Sequence, residues 1–193
     1  MFRPLLNLAL LVTFAFPAMA ETTPEPARQA PNAEDTLFTS EGFRQDRYRS
    51  PTPASAPGAR TVDTETLQSL LEQNPDLVLI DVINVEYRHD RFLQDDPHHT
   101  IPQAYWLPNT GKGSLDTLWH DYLMDNLARL TANDPEQPVV VFCKSDCWLS
   151  WNAAKRITEA GYNNVYWYRD GIDSWVAAGL PTRTVEPVDP KHS

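Results

Sequence analysis

The sequence predicts an α/β fold, in which a doubly wound, mainly parallel sheet is flanked by helices. Residues 77–82 and 139–142 form two short apolar runs rich in β-branched side chains. Such continuous runs are typical of parallel strands that are covered on both faces. Segments with helical spacing of apolar residues alternate with these runs, which favours a parallel sheet with right-handed crossovers.

Composition limits the classes of function. The chain has 193 residues, of which 41% are hydrophobic, enough for one domain with a real core and additional tails. Its formal net charge of −10 argues against binding to nucleic acid or to anionic membrane surfaces, while permitting a basic protein partner. Seventeen prolines against seven glycines indicate extended tails and stiff loops.

Residues 1–20 are predicted to be a signal peptide. Arg3 supplies the positive start, residues 5–16 the apolar core, and Ala18 and Ala20 the small residues of a cleavage site. An uncleaved anchor is the alternative, but the apolar run is shorter than the roughly 18 residues that a spanning helix needs. No later segment is expected to span a membrane. We therefore expect a periplasmic protein whose cysteines meet an oxidising compartment.

The rest of the chain divides into three parts. Residues 21–59 are a proline-rich linker followed by an extended arm, for which we expect Phe43 and Tyr48 to be anchors on the domain. The alternative is that these residues are only more linker. Residues 60–181 form the globular domain, and residues 182–193 are expected to be a loose tail.

Within the domain, the elements follow from caps and periodicity. Asp63 or Thr64 caps a first helix, with Leu67, Leu70 and Leu71 as its buried stripe. The remaining expected elements are a short helix over 85–92, a strand over 104–107, a long helix capped by Ser114 with apolar residues from Leu115 to Leu130, a strand over 164–168, and a short helix that begins at Gly171 and buries Trp175.

Both cysteines lie on one predicted strand-to-helix turn. Cys143 follows the strand over 139–142, at the carboxyl end where open α/β sheets bind their ligands, and a helix is expected from about Ser150. The helix start favours a thiolate, so we expect Cys143 to have the lower pKa and Cys147, under apolar cover, the higher one. Buried, inert cysteines are the alternative.

Several kinds of chemistry are open to this pair. We predict Cys143 as a catalytic nucleophile and Cys147 as its resolving thiol, since residues four apart in helical geometry can form a disulfide. A structural disulfide is an alternative, and a metal site with His98 and His99 is another. No glycine-rich phosphate loop or haem motif is present, and we expect no cofactor. The neighbouring side chains predicted to bind substrate are Lys144, Ser145, Asp146, Trp148 and Trp151.

Four segments resemble the rhodanese-like domain family. They are Leu-Ile-Asp-Val at 79–82, Thr-Ile-Pro-Gln-Ala at 100–104, the strand into Cys143, and residues 160–181 with Gly171, Trp175 and a Gly-Leu-Pro end. The resemblance implies a rhodanese-like fold with Cys143 at the catalytic position. Members of this family carry a glycine and an arginine after that cysteine, but neither occurs between Cys143 and Trp151. We therefore expect thiosulfate to be a poor substrate, because Asp146 would repel an anionic donor.

A narrower resemblance includes the arm. Residues 42–53, 147–156 and 165–168 are similar to exported proteins called PQQ-dependent catabolism-associated CXXCW motif proteins, although three residues separate the cysteines here. This resemblance implies a periplasmic setting linked to alcohol oxidation by quinoproteins. It favours two hypotheses: a thiol-based redox or persulfide protein, and a non-catalytic module that binds a periplasmic component of such a system.

The signal-peptide prediction has a direct test. Export should remove residues 1–20, because the cleavage site ends at Ala20. Amino-terminal sequencing of periplasmic protein is expected to begin at Glu21. Protein that still begins at Met1, in the membrane fraction, would contradict the prediction.

Overall fold

The computed structural model describes residues 35–192, so the predicted signal peptide and most of the linker before the arm lie outside the described residues. Within that range, no helix is both long and apolar enough to cross a membrane. The strands are β1 (Arg60–Val62), β2 (Val78–Asp81), β3 (Glu86–Arg88), β4 (Arg91–Leu93), β5 (His98–Thr100), β6 (Tyr105–Trp106), β7 (Val139–Phe142), β8 (Val165–Tyr168) and β9 (Arg183–Val185). The α-helices are α1 (Thr64–Gln73), α2 (Thr117–Leu130), α3 (Trp148–Glu159) and α4 (Gly171–Ala177).

The central sheet has five strands in the order β1-β8-β7-β2-β6, and every neighbouring pair is parallel. β7 lies in the middle, where Val141 is opposite Ile80 on one side and Trp167 on the other. Helices separate β1 from β2, β6 from β7 and β7 from β8, as expected, whereas no α-helix lies between β2 and β6. The predicted α/β class with a mainly parallel sheet is confirmed.

Two hydrophobic cores lie on opposite faces of this sheet. Val139 and Val141 belong to the core that contains α2 and α3. Val140 and Phe142, which alternate with them, belong to the core that contains α1 and α4. All four side chains are buried, which explains why the strand reads as one continuous apolar run. The sheet is therefore covered on both faces, as a doubly wound fold requires.

Carboxylates cap the starts of α1 and α2. The side chain of Asp63 accepts the N–H of Thr66, which confirms the predicted cap of α1. In α2, the carboxylate of Asp116 accepts the N–H of Trp119, so the helix begins at Thr117 and the predicted cap at Ser114 is wrong. This start directs Trp119 into the core and leaves Leu118 44% exposed.

A hairpin replaces the short helix predicted over residues 85–92. β3 and β4 pair antiparallel, with Arg88 opposite Arg91. The two residues between them, His89 and Asp90, both have positive φ, which is the backbone of a tight hairpin turn. Tyr87 packs edge-on against Trp119, so cross-strand packing on α2 stabilises the hairpin.

The carboxyl-terminal residues are also more ordered than predicted. β9 pairs antiparallel with β5, placing Thr100 opposite Arg183. Further along, the N–H of Val188 donates to the carbonyl of Trp106, and Val188 accepts the hydroxyl of Tyr122. The prediction of a loose tail is therefore wrong for this stretch, because long-range backbone pairing holds it on the domain.

Gly171 brings the β8–α4 turn against the residues that follow β7. It has φ +63°, and a Cβ added there would lie 2.5 Å from the carbonyl oxygen of Cys143. The next residue, Ile172, donates its N–H to that same oxygen at 2.9 Å. Only glycine permits this approach, so Gly171 positions the backbone of Cys143.

We expect Gly171→Ala to lower the free energy of unfolding more than Gly179→Ala does. Gly179 also has a positive φ, +71°, but open space surrounds its absent Cβ. In the control, Gly179→Ala, the free energy of unfolding should decrease by about 1–2 kcal/mol because of the left-handed backbone alone. Gly171→Ala should lose about 1–3 kcal/mol more from the clash. Urea unfolding measures both variants, and equal losses would show that the close approach to Cys143 is unimportant.

Candidate functional site

The two cysteines occupy opposite ends of one tight turn, residues 143–147, which we call the cysteine turn. Cys143 follows the last residue of β7, at the carboxyl edge of the sheet, and its carbonyl is held by Ile172. Cys147 is the N-cap of α3, which begins at Trp148, earlier than the predicted start near Ser150. The predicted strand-to-helix turn is confirmed, with one cysteine on the strand side and the other on the helix start.

The sulfur atoms of the cysteine turn are in direct contact. Their Sγ atoms lie 2.6 Å apart, and both residues are free thiols. Cys143 is 2% exposed and Cys147 is 3% exposed. Since a disulfide bond is about 2.05 Å long, little movement separates this pair from a bonded one. The arrangement is suited to reversible dithiol chemistry in a site that excludes water.

The two thiols have opposite pKa shifts. Burial raises the pKa of Cys143 well above its ordinary value, and the neighbouring Cys147 and the carboxylate of Asp81 raise it further. The thiol of Cys143 lowers the pKa of Cys147 to about 7, against the effect of burial, with help from the N–H groups of Leu149 and Lys144 and the charge of Arg49. The expectation that Cys143 is the more acidic is wrong, because Cys143 lies deeper and beside a carboxylate, whereas Cys147 lies at a helix start.

The three residues inside the cysteine turn are held by neighbouring elements. Asp173 of α4 accepts both the N–H and the hydroxyl of Ser145, at 3.0 and 2.8 Å. Asp146 has φ +47°, and its carboxylate accepts the N–H of Thr52 at 3.4 Å. Lys144 is exposed. The carboxylate of Asp146 is therefore directed to the arm, and the substrate-binding roles of these three residues stay predictions.

The arm, residues 41–53, lies across the cysteine turn. Arg49 forms an antiparallel bridge with Cys147, and the carbonyl of Tyr48 accepts the N–H of Trp148 at 2.8 Å. Phe43 is buried, and the hydroxyl of Tyr48 accepts the N–H of Gly113. Both expected anchors are confirmed. These residues are an ordered part of the domain rather than additional linker.

Trp148 and Trp151 support the chain that covers the site. Both are buried, and their indole N–H groups donate to the carbonyls of Pro51 and Ser55. Their predicted role was to bind substrate beside the cysteines. The structure places their polar edges on the arm and the residues after it, so in this arrangement they hold the cover of the cysteine turn in place.

Sequence reasoning missed two residues that fasten the arm. Asn152 of α3 accepts the N–H of Arg44 and donates to its carbonyl, at 2.9 and 2.7 Å. The buried guanidinium of Arg44 lies 4.9 Å from the ring centre of Trp148. The sequence does contain a signal for this contact: Asn152 lies on the apolar face of α3, next to Ala153 and Ala154. A buried amide needs hydrogen-bond partners, so an asparagine at this position indicates that another segment of backbone packs there.

A second polar group lies under the site. Asp81, fully buried at the end of β2, accepts the hydroxyl of Thr100 at 2.7 Å and contacts Nε2 of His98 at 2.8 Å. The ring of His98 stacks on Trp106, while His99 is exposed. Over residues 35–192, no cluster of three or more His, Cys, Asp or Glu side chains has metal-binding geometry. The structure therefore brings His98 to Asp81. The metal hypothesis would instead require His98 beside the cysteines.

Comparison with models of known protein families identifies the domain. The model of the rhodanese-like domain family matches residues 63–178, more than half of the chain and the whole range from α1 to α4. The arm lies outside this match.

Curated relatives match a shorter region. Thiosulfate sulfurtransferase GlpE from serotypes 5b and 3 of Actinobacillus pleuropneumoniae is 39% identical to this chain over 51 residues. That region is 26% of this chain and 46% of the relative, so the chain spans about half the length of the curated relatives it matches.

Solved structures resemble most of the domain. The polysulfide-sulfur transferase homodimer from Wolinella succinogenes is 26% identical, with a TM-score of 0.45 over 65% of this chain and 79% of that one. A thiosulfate sulfurtransferase from Pseudomonas aeruginosa is 22% identical, with a TM-score of 0.46 over 67% of this chain and 21% of that one.

The opposed pKa shifts predict how the thiols react. Alkylation of reduced protein at Cys147 should increase with pH through a midpoint near 7, because its thiolate accepts a hydrogen bond from Cys143. Cys143→Ala removes that donor, so the midpoint should rise toward the ordinary value of about 8.5. Cys143→Ser keeps an O–H donor and serves as the matched control, with a midpoint near that of the wild type.

Mass-resolved alkylation over a range of pH measures these midpoints. Because the arm slows both thiols by covering them, the midpoint and not the absolute rate is the informative quantity. A lower midpoint at Cys143 than at Cys147 would contradict the assignment, as would equal midpoints in the Ala and Ser variants.

Proposed function

This chain belongs to the rhodanese-like domain family, and we propose that it is a thiol-based sulfur-handling protein that works through a reversible dithiol at Cys143 and Cys147. The observation that carries the proposal is the contact between the two sulfurs, 2.6 Å apart at the carboxyl edge of the sheet. Opposite pKa shifts divide this pair into one thiolate and one thiol that donates to it. A pair that can close on itself is suited to accept a sulfur atom and then release it.

The chemistry has two steps. The Cys147 thiolate attacks a donor that carries a sulfane sulfur, forming a Cys147 persulfide and expelling the rest of the donor. Cys143 then attacks the Sγ of Cys147, which forms the Cys143–Cys147 disulfide and releases the outer sulfur as hydrosulfide together with the proton of Cys143. An external dithiol of the cell restores the two thiols. In this scheme Cys147 is the first nucleophile and Cys143 resolves, the reverse of the roles predicted from position alone.

The setting belongs to the same proposal. We place the protein in the periplasm, in partnership with a component of a PQQ-dependent oxidation system. The support is the sequence of residues 1–20 and the resemblance of the arm and of residues 147–156 to proteins of that setting. An oxidising compartment would supply the conditions in which a dithiol and its disulfide exchange.

A second candidate function is that of a non-catalytic module that binds a component of the same system. The burial of both sulfurs beneath the arm favours it, because a donor must pass the cover to reach them. The loop between Cys143 and Trp151 also lacks the glycine and arginine typical of sulfur-transferring relatives. In this case the cysteines would only stabilise the turn.

Reaction with inorganic polysulfide distinguishes the two functions. Reduced wild-type protein should lose the mass of two hydrogens and release one hydrosulfide for each disulfide formed. Cys143→Ser should instead gain the mass of one sulfur atom at Cys147, because no thiol remains to resolve the persulfide. Intact mass and a sulfide assay measure these products.

Cys147→Ser is the matched control, since it keeps the buried thiol of Cys143 but removes the acidic one. It should show neither rapid persulfide formation nor sulfide release. Wild-type protein that keeps two free thiols and releases no sulfide would reject the sulfur-handling function and leave the binding module.

A further inference from the structure

The arm brings one cationic side chain to the cysteine turn. Arg49 forms an antiparallel bridge with Cys147, and side chains directly opposite each other in such a pair lie on the same face, with Cβ atoms about 4.5–5.5 Å apart. The neighbouring hydrogen bonds, Ser50 N–H to the carbonyl of Asp146 and Trp148 N–H to that of Tyr48, hold this register from both sides. Backbone pairing therefore places the Arg49 side chain next to that of Cys147.

The Arg49 guanidinium is only weakly engaged by protein carboxylates. Its nearest one, Asp173, is 3.9 Å away and already accepts two hydrogen bonds from Ser145. The other carboxylate of the turn, Asp146, accepts the N–H of Thr52 instead. The Arg49 side chain is 55% exposed. More than half of the Arg49 side chain is therefore open to solvent beside Cys147, and its positive charge favours the Cys147 thiolate.

We propose that Arg49 binds the anionic group of the sulfur donor at this site. The inference rests on the proposed function and specifies its substrate class: small anions with a transferable terminal sulfur. A thiolate and an anionic donor repel each other, and a guanidinium beside both offsets that repulsion and can form paired hydrogen bonds with the donor oxygens or sulfurs. Arg49 lies outside residues 63–178, so the cation is supplied by the arm and not by the family domain.

This role changes the expectation for thiosulfate. The sequence argument against it depended on a turn that contains Asp146 and no arginine. In the folded chain the carboxylate of Asp146 is directed to Thr52, and Arg49 takes a position beside Cys147. An anionic donor therefore meets a cation at this site.

Paired alkylating reagents isolate the effect of Arg49. Iodoacetate is anionic and iodoacetamide is neutral, and both alkylate the same thiolate. The measured quantity is the rate with iodoacetate divided by the rate with iodoacetamide, both at Cys147 of reduced protein, at a pH well above 7 and at low salt. A change in the thiolate population affects both rates equally and so leaves this ratio unchanged. Arg49→Gln should lower the ratio by about threefold to tenfold, and added salt should reduce this effect.

Two variants serve as controls. Arg47→Gln removes the same charge from an exposed position two residues away and should leave the ratio near that of the wild type. Arg49→Lys keeps the charge and should restore most of the ratio. Circular dichroism of each variant checks that the fold is kept. We expect it to be kept, because the Arg49 side chain is largely exposed.

The outcomes separate this inference from the proposed function. An unchanged ratio in Arg49→Gln, or an equal decrease in Arg47→Gln, would overturn anion binding by Arg49 while the polysulfide experiment still decides the dithiol function. Absence of alkylation by either reagent at every pH would overturn both, because the site would then be closed to small donors.

Discussion

The backbone pairing between the arm and the start of α3 is the interaction on which the site depends. The first N–H groups of a helix have no partner within the helix, and in this turn they lie where an anion would bind. The carbonyl of Tyr48 takes the N–H of Trp148. The N–H of Leu149 is left to act on the sulfur of Cys147. The arm thus accepts one of the free N–H groups at the start of α3 and leaves the next one for Cys147. These N–H groups therefore stabilise negative charge on the Cys147 sulfur alone.

The same pairing determines how the site can open. Lifting the arm would expose Phe43 and part of Trp148, and would break the two hydrogen bonds between Arg44 and Asn152. A large apolar side chain contributes about 1.5–3 kcal/mol when buried, and a hydrogen bond about 0.5–1.5 kcal/mol. Since each 1.4 kcal/mol reduces the open fraction about tenfold, full release of the arm is rare. Small donors that pass through local fluctuations fit this structure better than large ones that need the arm removed.

Periodicity and strand composition were enough to predict the sheet, its two covered faces and the cysteine turn, because those features depend on local pattern. The hairpin of β3 and β4 was missed because its turn, His89 and Asp90, carries no glycine to mark positive φ. The pairing of β9 with β5 joins residues more than eighty positions apart, and no local pattern marks it. The pKa values of the cysteines depend first on burial and on the contact between the two thiols, and then on the charges of Asp81 and Arg49, all of which exist only in the folded chain.

Burial, with Asp81 adding to it, explains why the two cysteines have the reverse of the roles predicted from their positions in the sequence. The buried carboxylate of Asp81 accepts the hydroxyl of Thr100 and contacts Nε2 of His98, and both of these residues lie on β5. Burial disfavours a thiolate at Cys143 and the negative charge of Asp81 adds to this effect, so the proton stays on Cys143 and is donated to Cys147. That proton then leaves with the hydrosulfide when Cys143 attacks. The deeper cysteine is therefore suited to resolve a persulfide, and the one at the helix start is suited to form it.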